Sequence, residues 1–147
     1  MTTLKDPPKN ILVPIDFSES SEKAATAACA LAGKTGATVH LLHAYQIPVE
    51  SVGLALTVSQ QYVTQFVSDS KAQLQELVAK LCPNATVGPF LVESGDPREV
   101  IIAEATKLHV ELIVMGTHGR RGLSRALIGS VAESVVRTAH CSVLIVR

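Results

Sequence analysis

The sequence predicts an α/β protein: an open, five-stranded parallel sheet with helices on both faces. Two observations carry this. Short apolar runs alternate along the chain with segments whose apolar residues recur at helical spacing, the pattern of repeated strand–helix units with right-handed crossovers. Nearly half of the residues are apolar, yet aromatics are scarce and tryptophan is missing. The core must then be built from Ala, Val, Leu and Ile, the composition of strands buried on both faces. A length of 147 residues suits one domain with a sizeable core. We expect a single domain over 1–147, with 1–9 as a loose polar arm.

The first strand is Ile11–Phe17. Ser18 follows as a helix N-cap, with Glu19 and Glu22 in the first turn, where carboxylates suit the positive end of the helix. The first helix runs to about Ala32, with Ala24, Ala28, Leu31 and Ala32 on one face, and Gly33 and Gly36 end it. Thr38–Tyr45 is the second strand. After the stretch Gln46–Thr57, with Pro48 and Gly53, the second helix spans Val58–Leu81 and stops at Cys82-Pro83-Asn84. Val87–Val92 is the third strand. The clearest helix start follows: Asp96 caps, Pro97 takes the first helical position, and Glu99 can complete a capping box. That third helix runs to about Leu108. Glu111–Met115 is the fourth strand, a glycine-spaced loop follows, the fourth helix runs from Ser130 to about Ala139, and Ser142–Val146 closes the sheet.

Charge excludes some functions. Thirteen basic residues balance thirteen acidic ones, so nothing draws the chain globally to nucleic acid or to an anionic membrane. Low net charge favours self-association. The N-terminal residues lack an apolar stretch of signal-peptide length, and no run approaches a membrane span. The expected location is the cytoplasm. Cys29, Cys82 and Cys141 show no CxxC spacing and cannot all pair internally, so they read as reduced thiols of a cytosolic protein.

Ligands of open parallel sheets bind beyond the carboxyl ends of the strands, where the strand order reverses. If the order is 3-2-1-4-5, Asp16 after strand one and Gly116 after strand four face one crevice. The segment from Gly116 to Ser130 holds Gly119, Gly122 and Gly129, with Arg120, Arg121 and Arg125. Glycine permits positive φ and close backbone approach, and a helix opening at Gly129-Ser130 offers free N–H groups and a positive dipole end to phosphate. Taken singly these features have plainer readings. The glycines can be turn residues, the arginines solvated charges, and Ser130-Val-Ala-Glu133 a capping box in which Ser130 merely caps its helix. Together they favour an anion site. The segment is neither a Walker A loop nor a GxGxxG fingerprint, since the required lysine and glycine spacings are absent.

The spacing G-x-x-G-x₉-G-[ST], filled by Gly116, Gly119, Gly129 and Ser130, resembles the ATP-binding motif of the universal stress protein family. ILVPIDFSE, HLLHAY, the GDP before the third helix, LIVMGTHGR and SVLIV also resemble that family's landmarks in order and spacing. The resemblance implies the adenine nucleotide alpha-hydrolase-like sheet of order 3-2-1-4-5. It implies that Pro14, Ile15, Asp16, Ala44, Met115 and Gly116 surround base and ribose, and that His118, Gly119, Gly129, Ser130, Val131 and Ala132 hold the phosphates. The implied ligand is ATP, with ADP or AMP as alternatives, carrying Mg or Mn on its phosphates. The implied partner is a second copy of the chain, joined through the edge strand at Val143–Val146 in a homodimer or a higher oligomer.

The implied role is a nucleotide-dependent regulator or interaction module of stress physiology. The alternatives are a slow ATP hydrolase and a dimeric module that ignores nucleotide. No general base is evident for an efficient hydrolase. Asp16 has a second reading as a cap of the first helix, and Met115 and Ala44 have one as core packing. His40 and His43 stand three apart on one strand and face opposite sides, which argues against a paired metal site.

Overall fold

The computed structural model describes residues 6–47, 56–118 and 127–147. Ten elements follow one another: β1 (Asn10–Pro14), α1 (Glu19–Thr35), β2 (Thr38–Tyr45), α2 (Leu56–Leu81), β3 (Thr86–Val87), β4 (Leu91–Ser94), α3 (Pro97–Lys107), β5 (Leu112–Gly116), α4 (Ser130–Thr138) and β6 (Ser142–Val146). Every strand pair is parallel, in the order β3-β2-β1-β5-β6, with β4 also on β2.

The expected order of the sheet is therefore observed, but the strand count is six, not five. The expected third strand is split. β3 pairs with Thr38 and Val39, and β4 pairs with Leu42 to Tyr45. Between them lies Pro89, which has no N–H to give to the ladder. Gly88 beside it donates to the Val39 carbonyl at 2.9 Å and sits against the His40 ring.

Alternation along the strands sorts the core into two layers. Ile11, Val13, Val39, Leu41, Leu112 and Val114 pack with α1 and α2 on one face. Leu12, Leu42, Ile113 and Met115 pack with α3 and α4 on the other. Central strands with both faces covered must be apolar on both, which is why they read as unbroken apolar runs.

Ser18 caps α1 as expected, its hydroxyl accepting from the Ser21 amide. The helix runs on through Gly33 and ends at Gly36, whose φ of 75° supplies the left-handed turn. Residues 8 and 9 of the polar arm are held to the domain: Pro8 is buried, and the Lys9 and Asn10 amides both donate to the Glu111 carboxylate at 2.8 Å.

The cysteine expectation is overturned. Cys29 on α1 and Cys82 just beyond α2 form a disulfide across 53 residues, with Cα atoms 5.3 Å apart. Local spacing rules cannot see such a partner, because α1 and α2 are brought together by packing on the same sheet face. Cys141 remains a free thiol, and partial burial raises its pKa.

Candidate functional site

A cleft of about 720 Å³ opens at the carboxyl ends of β1, β2 and β5, between the N-termini of α3 and α4. This volume falls within the roughly 300–1,000 Å³ usual for small-molecule sites. It is lined by Pro14, Ile15 and Asp16 after β1, by Ala44 on β2, by Met115, Gly116 and His118 at the end of β5, and by Gly129, Ser130, Val131 and Ala132 opening α4. These eleven expected residues thus share one cavity. Gly119, Gly122, Arg120, Arg121 and Arg125 lie outside the described residues.

The chain leaving β1 makes a tight turn. Ile15 stays on the β2 ladder, its N–H donating to the Leu42 carbonyl at 2.8 Å. Asp16 then accepts from the Ser18 amide at 3.0 Å and from the Ser18 hydroxyl. This Asx-type turn fixes the carboxylate at the cleft, while the cap of α1 is Ser18 and not Asp16. Phe17 takes a left-handed φ of 62° to complete the turn.

The glycines act differently from the sequence expectation. Among the described residues, glycines with positive φ are Gly36 and Gly95, not Gly116 or Gly129. A Cβ on Gly116 would meet the Ser20 hydroxyl and lie 2.6 Å from the Ser20 carbonyl oxygen. Gly116 is therefore what lets the first turn of α1 press against the end of β5. The His118 amide donates to the Ser20 hydroxyl at 3.3 Å across the same contact, and its ring lies 2.7 Å from the Thr117 hydroxyl.

Gly129 settles the capping question. It, rather than Ser130, is the N-cap of α4, and it makes no side-chain cap bond. The Ser130–Glu133 capping box does not form, and Glu133 instead pairs with Arg137 one turn on, at 2.8 Å. The opening N–H groups of α4 thus meet the cleft with no side chain on their N-cap residue, an arrangement that favours an anion. The facing helix contrasts with it. Asp96 caps α3 by accepting from the Arg98 amide at 2.9 Å, and the Arg98 guanidinium wraps the same carboxylate. Those bonds hold the Asp96 pKa down at about 2 and raise that of Arg98.

Sequence reasoning missed part of the lining: Leu42, Gln46, Asp96, Pro97, Arg98, Ile101 and Thr117. The signal was available, since Asp96 and Pro97 follow β4 and the rule about carboxyl ends of strands applies to that strand too. His40 and His43 do face opposite sides. His40 lies 3.1 Å from the Asn10 amide oxygen, whereas His43 lies against Phe17 and Phe66. Among the described residues no group of three or more His, Cys, Asp or Glu is placed to hold a metal ion. No helix among them is long and apolar enough to cross a membrane.

The sequence model described as "Universal stress protein family" matches residues 8–147. The universal stress protein MJ0531 of Methanocaldococcus jannaschii is 33% identical over 141 residues, covering 95% of this chain and 82% of that protein. Among solved structures, the hypothetical protein MJ0577, the subject of a structure-based assignment of biochemical function, superposes with a TM-score of 0.80 at 28% identity, covering 94% of each chain. A universal stress protein in complex with cAMP superposes with a TM-score of 0.71 at 20% identity, covering 97% of this chain and 98% of that one, a likeness of fold.

Proposed function

This chain belongs to the universal stress protein family, and we propose that it is an ATP-binding member that works as a nucleotide-dependent regulator or interaction module. The observation that carries the reading is the N-terminus of α4, whose N-cap Gly129 has no side chain to cap it and which opens into a cleft shared with Asp16 and Ala44. On this reading the N–H groups of Ser130, Val131 and Ala132 take the phosphates together with His118 and Gly119. Pro14, Ile15, Asp16, Ala44, Met115 and Gly116 enclose the base and ribose. Mg or Mn rides on the phosphates, which supply most of its ligands. Adenine is favoured because a structural neighbour of the same fold is a cAMP complex, and ADP or AMP would use the same base and ribose contacts.

The opening turn of α4 offers amide donors for phosphate, and nucleotide binding is the function proposed. Occupancy then matters through a difference in affinity between two states of the molecule or its partner. We assign it to the cytoplasm, where ATP is plentiful, as a homodimer joined through Val143–Val146. Titration calorimetry with ATP and Mg²⁺ tests the reading, alongside mass spectrometry of nucleotide released from the purified protein. Saturable heat and a released adenine nucleotide are expected. No heat and no thermal shift at millimolar ligand would overturn it.

A further inference from the structure

We propose that His43 is the positioning residue of the nucleotide cleft, acting from behind its wall; this rests on the nucleotide-binding reading above. His43 is buried on β2, between Leu42 and Ala44, which both line the cleft. Alternation turns its ring to the opposite face, into the layer between the sheet and α1 and α2. There its Nδ1 lies 2.8 Å from the Ile15 carbonyl oxygen. A carbonyl only accepts, so Nδ1 carries the proton and the tautomer is fixed by this bond.

The bond lands on the residue that matters. The N–H of Ile15 is already held by β2 through the Leu42 carbonyl. With the carbonyl held by His43, the Ile15 peptide units on both sides are anchored to the same strand. Asp16 is the next residue, and its carboxylate accepts from the Ser18 amide and hydroxyl in the Asx-type turn. His43 also grips the far side of the turn, because the Phe17 ring packs on the imidazole with centroids 4.8 Å apart. Phe17 is the residue in the left-handed region, a conformation that survives only where its surroundings fix it. Phe66 of α2 backs the imidazole from 6.2 Å. One side chain therefore fixes the Ile15–Phe17 turn at both ends and sets where the Asp16 carboxylate stands in the cleft.

Two substitutions separate positioning from packing. His43→Phe keeps a ring between Phe17 and Phe66 but removes the donor. His43→Asn removes the ring but keeps an N–H near the place of Nδ1. Calorimetry with ATP and Mg²⁺ should give His43→Phe a Kd raised about tenfold, the effect of one buried hydrogen bond left unmade. His43→Asn, which keeps the Ile15 bond and loses the Phe17 contact, should fall between wild type and His43→Phe and nearer wild type, even where its thermal midpoint is lower. If His43→Phe binds as wild type, or His43→Asn loses affinity as His43→Phe does, the role is packing and the proposal is wrong. Should His43→Phe not fold, ¹⁵N-histidine NMR of the wild-type protein decides: the Nδ1–H resonance should shift on saturation with ATP and Mg²⁺, and an unmoved resonance overturns the proposal. A wild-type protein that binds no nucleotide overturns the functional reading along with it. Wild-type binding with an unaffected His43→Phe overturns the positioning role alone.

Discussion

Gly116 and Gly129 sit in one sequence motif but answer to different constraints. The place of a Cβ on Gly116 is occupied by Ser20, including backbone that cannot swing away. Gly116→Ala should therefore cost about 2–3 kcal/mol, as overpacking does, read as a lower urea midpoint at unchanged m-value. At Gly129 a Cβ would meet the Thr117 carbonyl oxygen at 3.0 Å, a tight contact that asks the backbone to give by a few tenths of an ångström, and its φ of −63° suits any residue. Gly129→Asp places a carboxylate cap over the N–H groups offered to phosphate. Its stability should stay within about 1 kcal/mol of wild type, since the cap offsets the contact. Its ATP affinity should fall by more than about tenfold, because like charge replaces an open anion site. Loss of stability and binding in parallel would refute that separation. The site was legible in these residues as a spacing, not as a reason. The glycine pattern marks where backbone comes close, but nothing in it says that Ser20 is what Gly116 meets, since the two are joined only by packing of α1 on β5.

His40 carries a prediction with a sign. Burial disfavours its imidazolium and lowers its pKa below the ordinary 6.5. As pH falls through about 6.5 the unfolded chain takes up this proton and the folded chain does not, so stability drops with falling pH until the folded pKa is passed. Above about pH 7.5 the group contributes no slope. Urea midpoints measured between pH 7.5 and 5 should fall for wild type and fall less for His40→Gln. An identical slope in the two proteins would assign the pH dependence to other groups.

At the scale of elements, the Cys29–Cys82 bridge ties α1 to the end of α2. It closes a 53-residue span that contains β2 and α2, for which chain entropy predicts about 4 kcal/mol of stabilisation. Reductant should lower the urea midpoint of wild type and of Cys141→Ala alike, and Cys29→Ala should start at the lower value and ignore reductant. Thiol labelling in denaturant without reductant should find one reactive group per chain; three would mean the bridge is not formed. The elements themselves were largely readable. Ser18 and Asp96 announce their helices because a cap is a local interaction between residues two or three apart. The failures have equally definite causes. Gly33 reads as a stop, but only Gly36 takes the positive φ that stops a helix. Pro89 within the expected strand Val87–Val92 was the visible mark of the break between β3 and β4. The disulfide had no local signature at all.

At the scale of the molecule, β6 ends the sheet order, its recorded partner being β5 on one side. Its sequence, Ser142–Val146, holds neither charge nor proline, the usual defences of an exposed edge. Apolar surface flanks that edge on both faces. Val143 and Ile145 turn toward the α3–α4 layer, so Leu144 turns to the other, where it is 43% exposed, while Val136 of the neighbouring α4 is 50% exposed. A two-fold axis carrying β6 onto its copy must reverse the strand direction, so the new seam would be antiparallel although the sheet within each chain is parallel. Such a seam sets Leu144 against its copy on one face and α4 near its copy on the other, covering both apolar flanks at once. Zero net charge leaves little long-range repulsion to oppose it. Sedimentation of the wild-type protein should therefore give a dimer or a multiple of it at micromolar concentration. Leu144→Lys, which places like charges opposite each other at the seam, should give monomer with unchanged far-UV circular dichroism. A wild-type protein that sediments as monomer, or a Leu144→Lys variant that remains dimeric, would move the interface away from β6.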